Sequence, residues 1–102
     1  MLAKRKKVVQ KEKTPKQMER HLKGVANHRR IAILFLIAKR RGITVDGIAE
    51  NLDCNVKTIS SHLWRLAQSG LVVKVYRGRT VAHELSPYGK ILHKFLTTFS
   101  QQ

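Results

Sequence analysis

Five histidines, one cysteine and six carboxylates are the residues of this chain whose types suit acid–base, nucleophilic or metal chemistry. Their spacing supplies none of it. Cys54 stands alone, so no internal disulfide forms, and its place in a turn between apolar runs suits a small buried hydrophobe rather than a redox thiolate. His21, His28 and His62 are scattered without the short intervals that bring metal ligands together. His83 adjoins Glu84, but neighbours on a strand point to opposite faces and make no dyad. No nucleophile has a base at motif spacing, and neither a phosphate-binding glycine loop nor a carboxylate pair is present. The expectation is a protein that is not an enzyme and needs no cofactor.

Chemistry by charge is different. The chain of 102 residues carries 21 Lys and Arg against six Asp and Glu, a formal net charge of +15. A charge of that size favours a polyanionic partner, nucleic acid first and an anionic membrane second. Residues 1–13 hold six basic side chains and Glu12, and the remaining +10 falls on residues 14–102, so the folded part is itself basic. The longest apolar run, Ile31–Ala38, is eight residues, too short to span a bilayer. A soluble cytoplasmic protein without a membrane partner is expected, and the unpaired Cys54 fits a reducing compartment. The length allows one domain, residues 14–102, preceded by a basic, flexible arm over 1–13 that can order on a phosphate backbone.

Residues 55–70, NVKTISSHLWRLAQSG, wrap an apolar seam in hydroxyls, a lysine and an arginine. At about 100° per residue, Val56, Ile59, Leu63, Leu66 and Ala67 fall on one side of a helix. Lys57, Ser61, Arg65 and Gln68 fall opposite, flanked by Thr58 and Ser60 near the N-terminal end. Short side chains there let the backbone approach another surface, and amides at the helix start favour phosphate. Trp64, on the border, is expected to cover a helix flank.

The elements that must position this helix are legible around it. Thr14 caps a first helix begun by Pro15, with Met18, Leu22 and Val25 at i, i+4 and i+7. Asn27 caps a second, through about Lys39, whose apolar face of Ile31, Leu34, Phe35 and Ala38 is widened by Ile33, Leu36 and Ile37, making it the central core helix. Thr44 caps a short third helix carrying Val45, Ile48, Ala49 and Leu52, and a tight turn at Asp53–Asn55 leads into the fourth. After Gly70 the period changes to that of a two-stranded ribbon around Arg77-Gly78, with its register open by one residue. Ser86-Pro87 starts a last helix with Tyr88, Ile91, Leu92, Phe95, Leu96 and Phe99 on one stripe. The fold class is therefore mainly α with a small β-hairpin wing, a winged helix-turn-helix whose fourth helix is placed for a major groove.

The segment ITVDGIAENLDCNVKTISSHLWRLAQSGLVVKVYRGRTVAHEL resembles the winged helix-turn-helix of ArsR-type bacterial and archaeal repressors. The likeness rests on Leu52, Asn55, Thr58, Ile59, Ser60, His62, Leu63, Leu66, Gly70, Leu71 and Val72. With NHRRIAILFLI as the preceding helix it spans about residues 16–96. The resemblance implies a transcriptional repressor at the nucleoid of a prokaryotic cytoplasm, binding double-stranded DNA as a homodimer on an inverted repeat. It implies that Lys57, Ser60 and Ser61 approach bases or phosphates with Thr58 and Arg65 beside them. Arg77 and Arg79 of the wing would reach the adjacent minor groove or backbone, with Arg40 and Arg41 as weaker backbone candidates. Dimerisation would fall on Met18, Leu22, Tyr88, Leu92, Phe95 and Phe99, with Val25 on the same stripe; the alternative is that the stripe closes the monomer's own core. The family's thiolate metal site is replaced by Thr44-Val45-Asp46, and the last helix holds His93 but no carboxylate, so no metal ligand is expected. An RNA-binding or non-specific architectural winged helix is the alternative function, and a protein-docking module a third.

Overall fold

The structure is a computed structural model that describes residues 12–101; the basic arm expected over 1–13 lies almost wholly outside them. The order is α1 (Pro15–Val25), α2 (His28–Lys39), α3 (Val45–Leu52), α4 (Val56–Gln68), β1 (Val72–Arg77), β2 (Thr80–Leu85) and α5 (Pro87–Phe99). Among the described residues, no helix is long and apolar enough to cross a membrane.

Each helix begins where a side chain takes over the amides that the first turn leaves unbonded. Thr14 Oγ1 accepts from Gln17 N at 3.2 Å while the Gln17 side chain accepts from Thr14 N at 2.9 Å, closing a capping box before Pro15. Asn27 caps α2, Thr44 caps α3, Asn55 caps α4 and Ser86 caps α5. Between α3 and α4 the chain reverses through Asp53, whose φ of 50° is the left-handed conformation that ends a helix tightly.

Helix α2 is the hub, packing against α1, α4, α5 and β2. A helix contacted on so many sides must be apolar nearly all round. Its deepest residues are Ile33, Leu34 and Ile37, while Ile31, Leu36 and Ala38 pack at the margin of the core. Ile48 and Ala49 of α3, Ile59, Leu63 and Leu66 of α4, and Leu71, Val72 and Leu85 at the base of the hairpin close around them. Burying one Ile or Leu fully stabilises the fold by about 1.5–3 kcal/mol relative to exposure, so this cluster fixes the angle between α3 and α4.

The hairpin is antiparallel, with Val72 opposite Leu85 and Arg77 opposite Thr80. Its loop is therefore Gly78-Arg79, one residue beyond the expected centre. Gly78 has φ +65° and Arg79 does not leave the ordinary range, the order of a glycine-first two-residue turn that matches strand twist. On its other side β2 meets Ile43 in an isolated bridge, so His83 sits in the middle of a short three-membered layer.

His83 is buried, and its Nδ1–H donates to the Ile43 carbonyl at 3.0 Å. Burial pushes its pKa below the usual histidine value, the Ile43 hydrogen bond opposes that, and the charge of Lys74 adds to it. The folded state thus refuses a proton that the unfolded chain accepts below about pH 6.5, so His83 contributes stability above that pH that is lost on acidification. Thermal unfolding followed from pH 7.5 to 5 should show a falling Tm, and a smaller fall in His83→Gln. Equal falls in the two proteins would mean that the proton goes elsewhere.

Candidate nucleic-acid interface

Helix α4 turns Ile59, Leu63 and Leu66 into the core and leaves the opposite side open. Lys57, Thr58, Ser60, Ser61, Arg65 and Gln68 are all exposed, as the periodicity requires. Among the described residues, none of the side chains of Lys57, Thr58, Ser60, Ser61 and Arg65 enters an ion pair or a side-chain hydrogen bond. Their donors and acceptors are uncommitted, which is what a surface that reads another molecule requires. Two expectations are corrected here. Asn55 Oδ1 already accepts from Lys57 N at 2.7 Å and Thr58 N at 3.3 Å, so those amides are not free for a phosphate. Trp64 covers a helix flank at most in part, since the residue is 56% exposed beside the presented face.

The far end of α4 is held from two directions. Ser69 Oγ donates to the Arg65 and Leu66 carbonyls at 2.9 and 3.1 Å, and a Cβ on Gly24 would overlap that hydroxyl, so only glycine lets α1 approach here. From α1, Arg20 donates to the Gln68 carbonyl at 3.2 Å and His21 Nδ1–H to the Ser69 carbonyl at 2.6 Å. From the start of α5, the Ser86 hydroxyl donates to the Gly70 carbonyl at 2.6 Å. The Gln68 and Ser69 carbonyls are among those a helix end leaves unbonded, and the Arg20 guanidinium suits the negative end of the dipole. Composition did not single out Arg20 or His21, because their partners lie 48 residues away in sequence.

In the wing, Arg77 and Arg79 are both exposed, but they differ. Arg79 occupies the loop itself. Arg77 folds back along the strand to Glu84 Oε2 at 3.5 Å, where Arg41 also arrives at 3.6 Å. One carboxylate thus ties the wing to the end of α2, and contact between Arg77 and a second molecule requires it to exchange that partner. Exposed pairs of this kind are worth about 0–1 kcal/mol, so the exchange is cheap. Tyr76, also on the wing, is 72% exposed and was not anticipated; a large ring on a strand otherwise read for its charges was the available signal.

Between α1 and α5 runs an apolar groove lined by Met18, Leu22, Tyr88, Ile91 and Phe95. Leu22 is 52% exposed, Phe95 56% and Ile91 66%; Phe95 stacks on Phe99 at 5.9 Å between ring centroids. Tyr88 meets His21 at 5.0 Å and carries the Lys13 ammonium over its ring at 3.6 Å. The outer edge of the α5 stripe is therefore open, whereas Leu92 and Leu96 on its inner edge pack against the core. Val25, expected on the stripe, belongs to the core. Cys54 is half-buried against the core. Among the described residues, no group of three or more His, Cys, Asp or Glu side chains is placed to hold a metal ion.

Residues 27–74, from the cap of α2 into β1, match the profile of the bacterial regulatory protein arsR family. The fold is a winged helix-turn-helix, and over residues 27–74 it is similar to the ArsR type. Solved structures agree. HlyU from Vibrio cholerae is 28% identical with a TM-score of 0.79, over 89% of this chain and 99% of that one. The homodimeric winged helix-turn-helix DNA-binding domain Mb0332 from Mycobacterium bovis, described as a possible ArsR-family transcriptional regulator, is 28% identical with a TM-score of 0.77, over 84% and 80%. The transcriptional repressor PagR of Bacillus anthracis, at 21% identity and a TM-score of 0.73 over 79% and 93%, supports the fold alone. No curated protein sequence matches the chain. The arsR family and these solved neighbours are transcriptional regulators, and α4 is the second helix of the helix-turn-helix that the match covers.

Proposed function

We propose that this chain is a sequence-specific, double-stranded DNA-binding repressor of the ArsR type that acts as a homodimer at the nucleoid. The observation that carries this reading is the uncommitted face of α4, with Lys57, Thr58, Ser60, Ser61 and Arg65 exposed and free of internal partners beside a cationic hairpin. Small hydroxyls let the helix sit deep in a major groove, where Lys57 and the serines meet base edges. Arg65 and Arg79 hold phosphates, and Arg77 does so once it leaves Glu84. Repression follows from occupancy, because a dimer seated on a promoter excludes other proteins from it.

The homodimer rests on the open groove of α1 and α5. An exposed stripe holding Met18, Leu22, Tyr88, Ile91, Phe95 and Phe99 is larger than soluble monomers usually tolerate. The same patch on two subunits is self-complementary about a two-fold axis, which sets two recognition helices for an inverted repeat. Mb0332, described as homodimeric, is a precedent for such an assembly.

The test is binding to duplex DNA as salt is varied. Six to ten phosphate contacts imply a loss of affinity of about 10³–10⁵ between roughly 50 and 200 mM salt. A flat response contradicts the reading, and a preference for single-stranded or duplex RNA over duplex DNA would replace it with RNA binding.

A further inference from the structure

Positive charge does not stop at the recognition helix. At the start of α2, Arg30 meets His62 on the flank of α4, and the charges of His28 and Arg29 also bear on His62 while that of Arg65 bears on Arg30. Arg30 is half-buried; its Nε donates to the Gly24 carbonyl at 2.6 Å and a terminal nitrogen to His62 Nδ1 at 3.3 Å. Since a guanidinium only donates, Nδ1 must accept, and the neutral ring keeps its proton on Nε2. Burial, then the charge of Arg65, pushes the Arg30 pKa down. For His62, burial comes first, followed by the charges of Arg30, Arg29 and His28.

No anion balances this group. Among the described residues, carboxylates form ion pairs through Glu19 with Lys23 and through Glu84 with Arg41 and Arg77, and none pairs with His62 or with the four basic side chains around it, His28, Arg29, Arg30 and Arg65. Like charges held this close repel, and the fold nonetheless fixes one of them, Arg30, by a hydrogen bond to backbone. A guanidinium anchored through Nε has little side-chain freedom left to lose when its other nitrogens meet a ligand. Its planar donors match the oxygens of a phosphate.

We propose that Arg29, Arg30, His62 and Arg65 form a second anchoring site that grips one phosphodiester of the DNA strand flanking the groove that α4 enters. The site rests on the DNA-binding reading above and adds residues from α2, an element outside the helix-turn-helix pair and the wing. His62 lies one helical turn beyond Thr58 and Arg65 one residue short of the next, so the site borders the reading face rather than interrupting it. It positions the protein and reads no base.

The experiment compares wild type, Arg29→Gln and Arg30→Gln on one duplex that binds well and one of scrambled sequence, each across a salt series. Both variants should bind about tenfold more weakly at about 0.1 M salt, with the preference for the better duplex unchanged. The slope of log K against log salt should flatten by about two, one contact from each subunit. Arg30→Gln loses the Gly24 bond, so its Tm is checked; Arg29→Gln, with no such bond, carries the test if the other unfolds. Unchanged affinity and slope in a folded Arg29→Gln overturns the site and leaves the DNA-binding reading standing. A wild type that binds neither duplex overturns both.

Discussion

Phe95→Glu should turn the protein into a monomer and, with that, strip it of most of its DNA affinity. In the isolated subunit the Phe95 ring is 56% exposed at the outer edge of α5, so a carboxylate there meets water and the fold is kept. Across a two-fold interface the same carboxylate would be buried twice, once from each subunit, among Leu22, Ile91 and Phe99. The effective penalty for burying an unpaired ion is several kcal/mol, so the dimer dissociation constant should rise at least about 10³-fold. Losing the link between two half-sites should cost a further factor of about 10²–10⁴ on an inverted repeat. Sedimentation reports the first effect, duplex binding the second, and an unchanged Tm shows that folding is intact. A variant that remains dimeric would mean that the subunits meet elsewhere.

The second large effect is expected from Ser61→Glu. Ser61 lies at the centre of the presented face, exposed and without a side-chain partner among the described residues, so stability should change by no more than about 0.5 kcal/mol. A carboxylate there faces the phosphates and the electronegative floor of the groove, and like charges brought together at an interface cost several kcal/mol. Affinity should fall at least about 100-fold per dimer, against a milder loss for Ser61→Ala, measured on one duplex at fixed salt. If Ser61→Glu binds as wild type does, α4 is not the element in contact.

Much of this was legible in the sequence, and the limits have a physical pattern. The caps at Thr14, Asn27, Thr44 and Asn55 and the helix start at Ser86-Pro87 were readable because capping is local chemistry, decided within four residues. The buried side of α4 was readable because one uninterrupted period of 3.6 residues defines it. Periodicity gives an angle around a helix but no position along it. Val25 shares an angular stripe with Met18 and Leu22, yet it is buried, since it follows Gly24, where α1 packs directly against Ser69 at the end of α4. Leu92 and Ile91 likewise belong to one apolar stripe and part company at its edge, one against the core and one outward.

Relations between distant elements were not legible at all. The grip of Arg20 and His21 on the end of α4, the return of Arg77 to Glu84, and the meeting of His62 with Arg30 join residues that no local pattern associates. The loop of the hairpin shows the intermediate case. Arg77-Gly78-Arg79 announces a turn, but whether glycine takes its first or second central place depends on strand register, which the packing of Val72 and Leu85 decides.

Selection of bound duplexes from a random pool by the wild-type protein tests most directly whether two α4 helices enter DNA together. The account predicts a dyad-symmetric consensus whose half-sites are centred about one helical turn apart or a multiple of it. Bound duplexes that share no consensus, or share a single half-site with no symmetry, would contradict it.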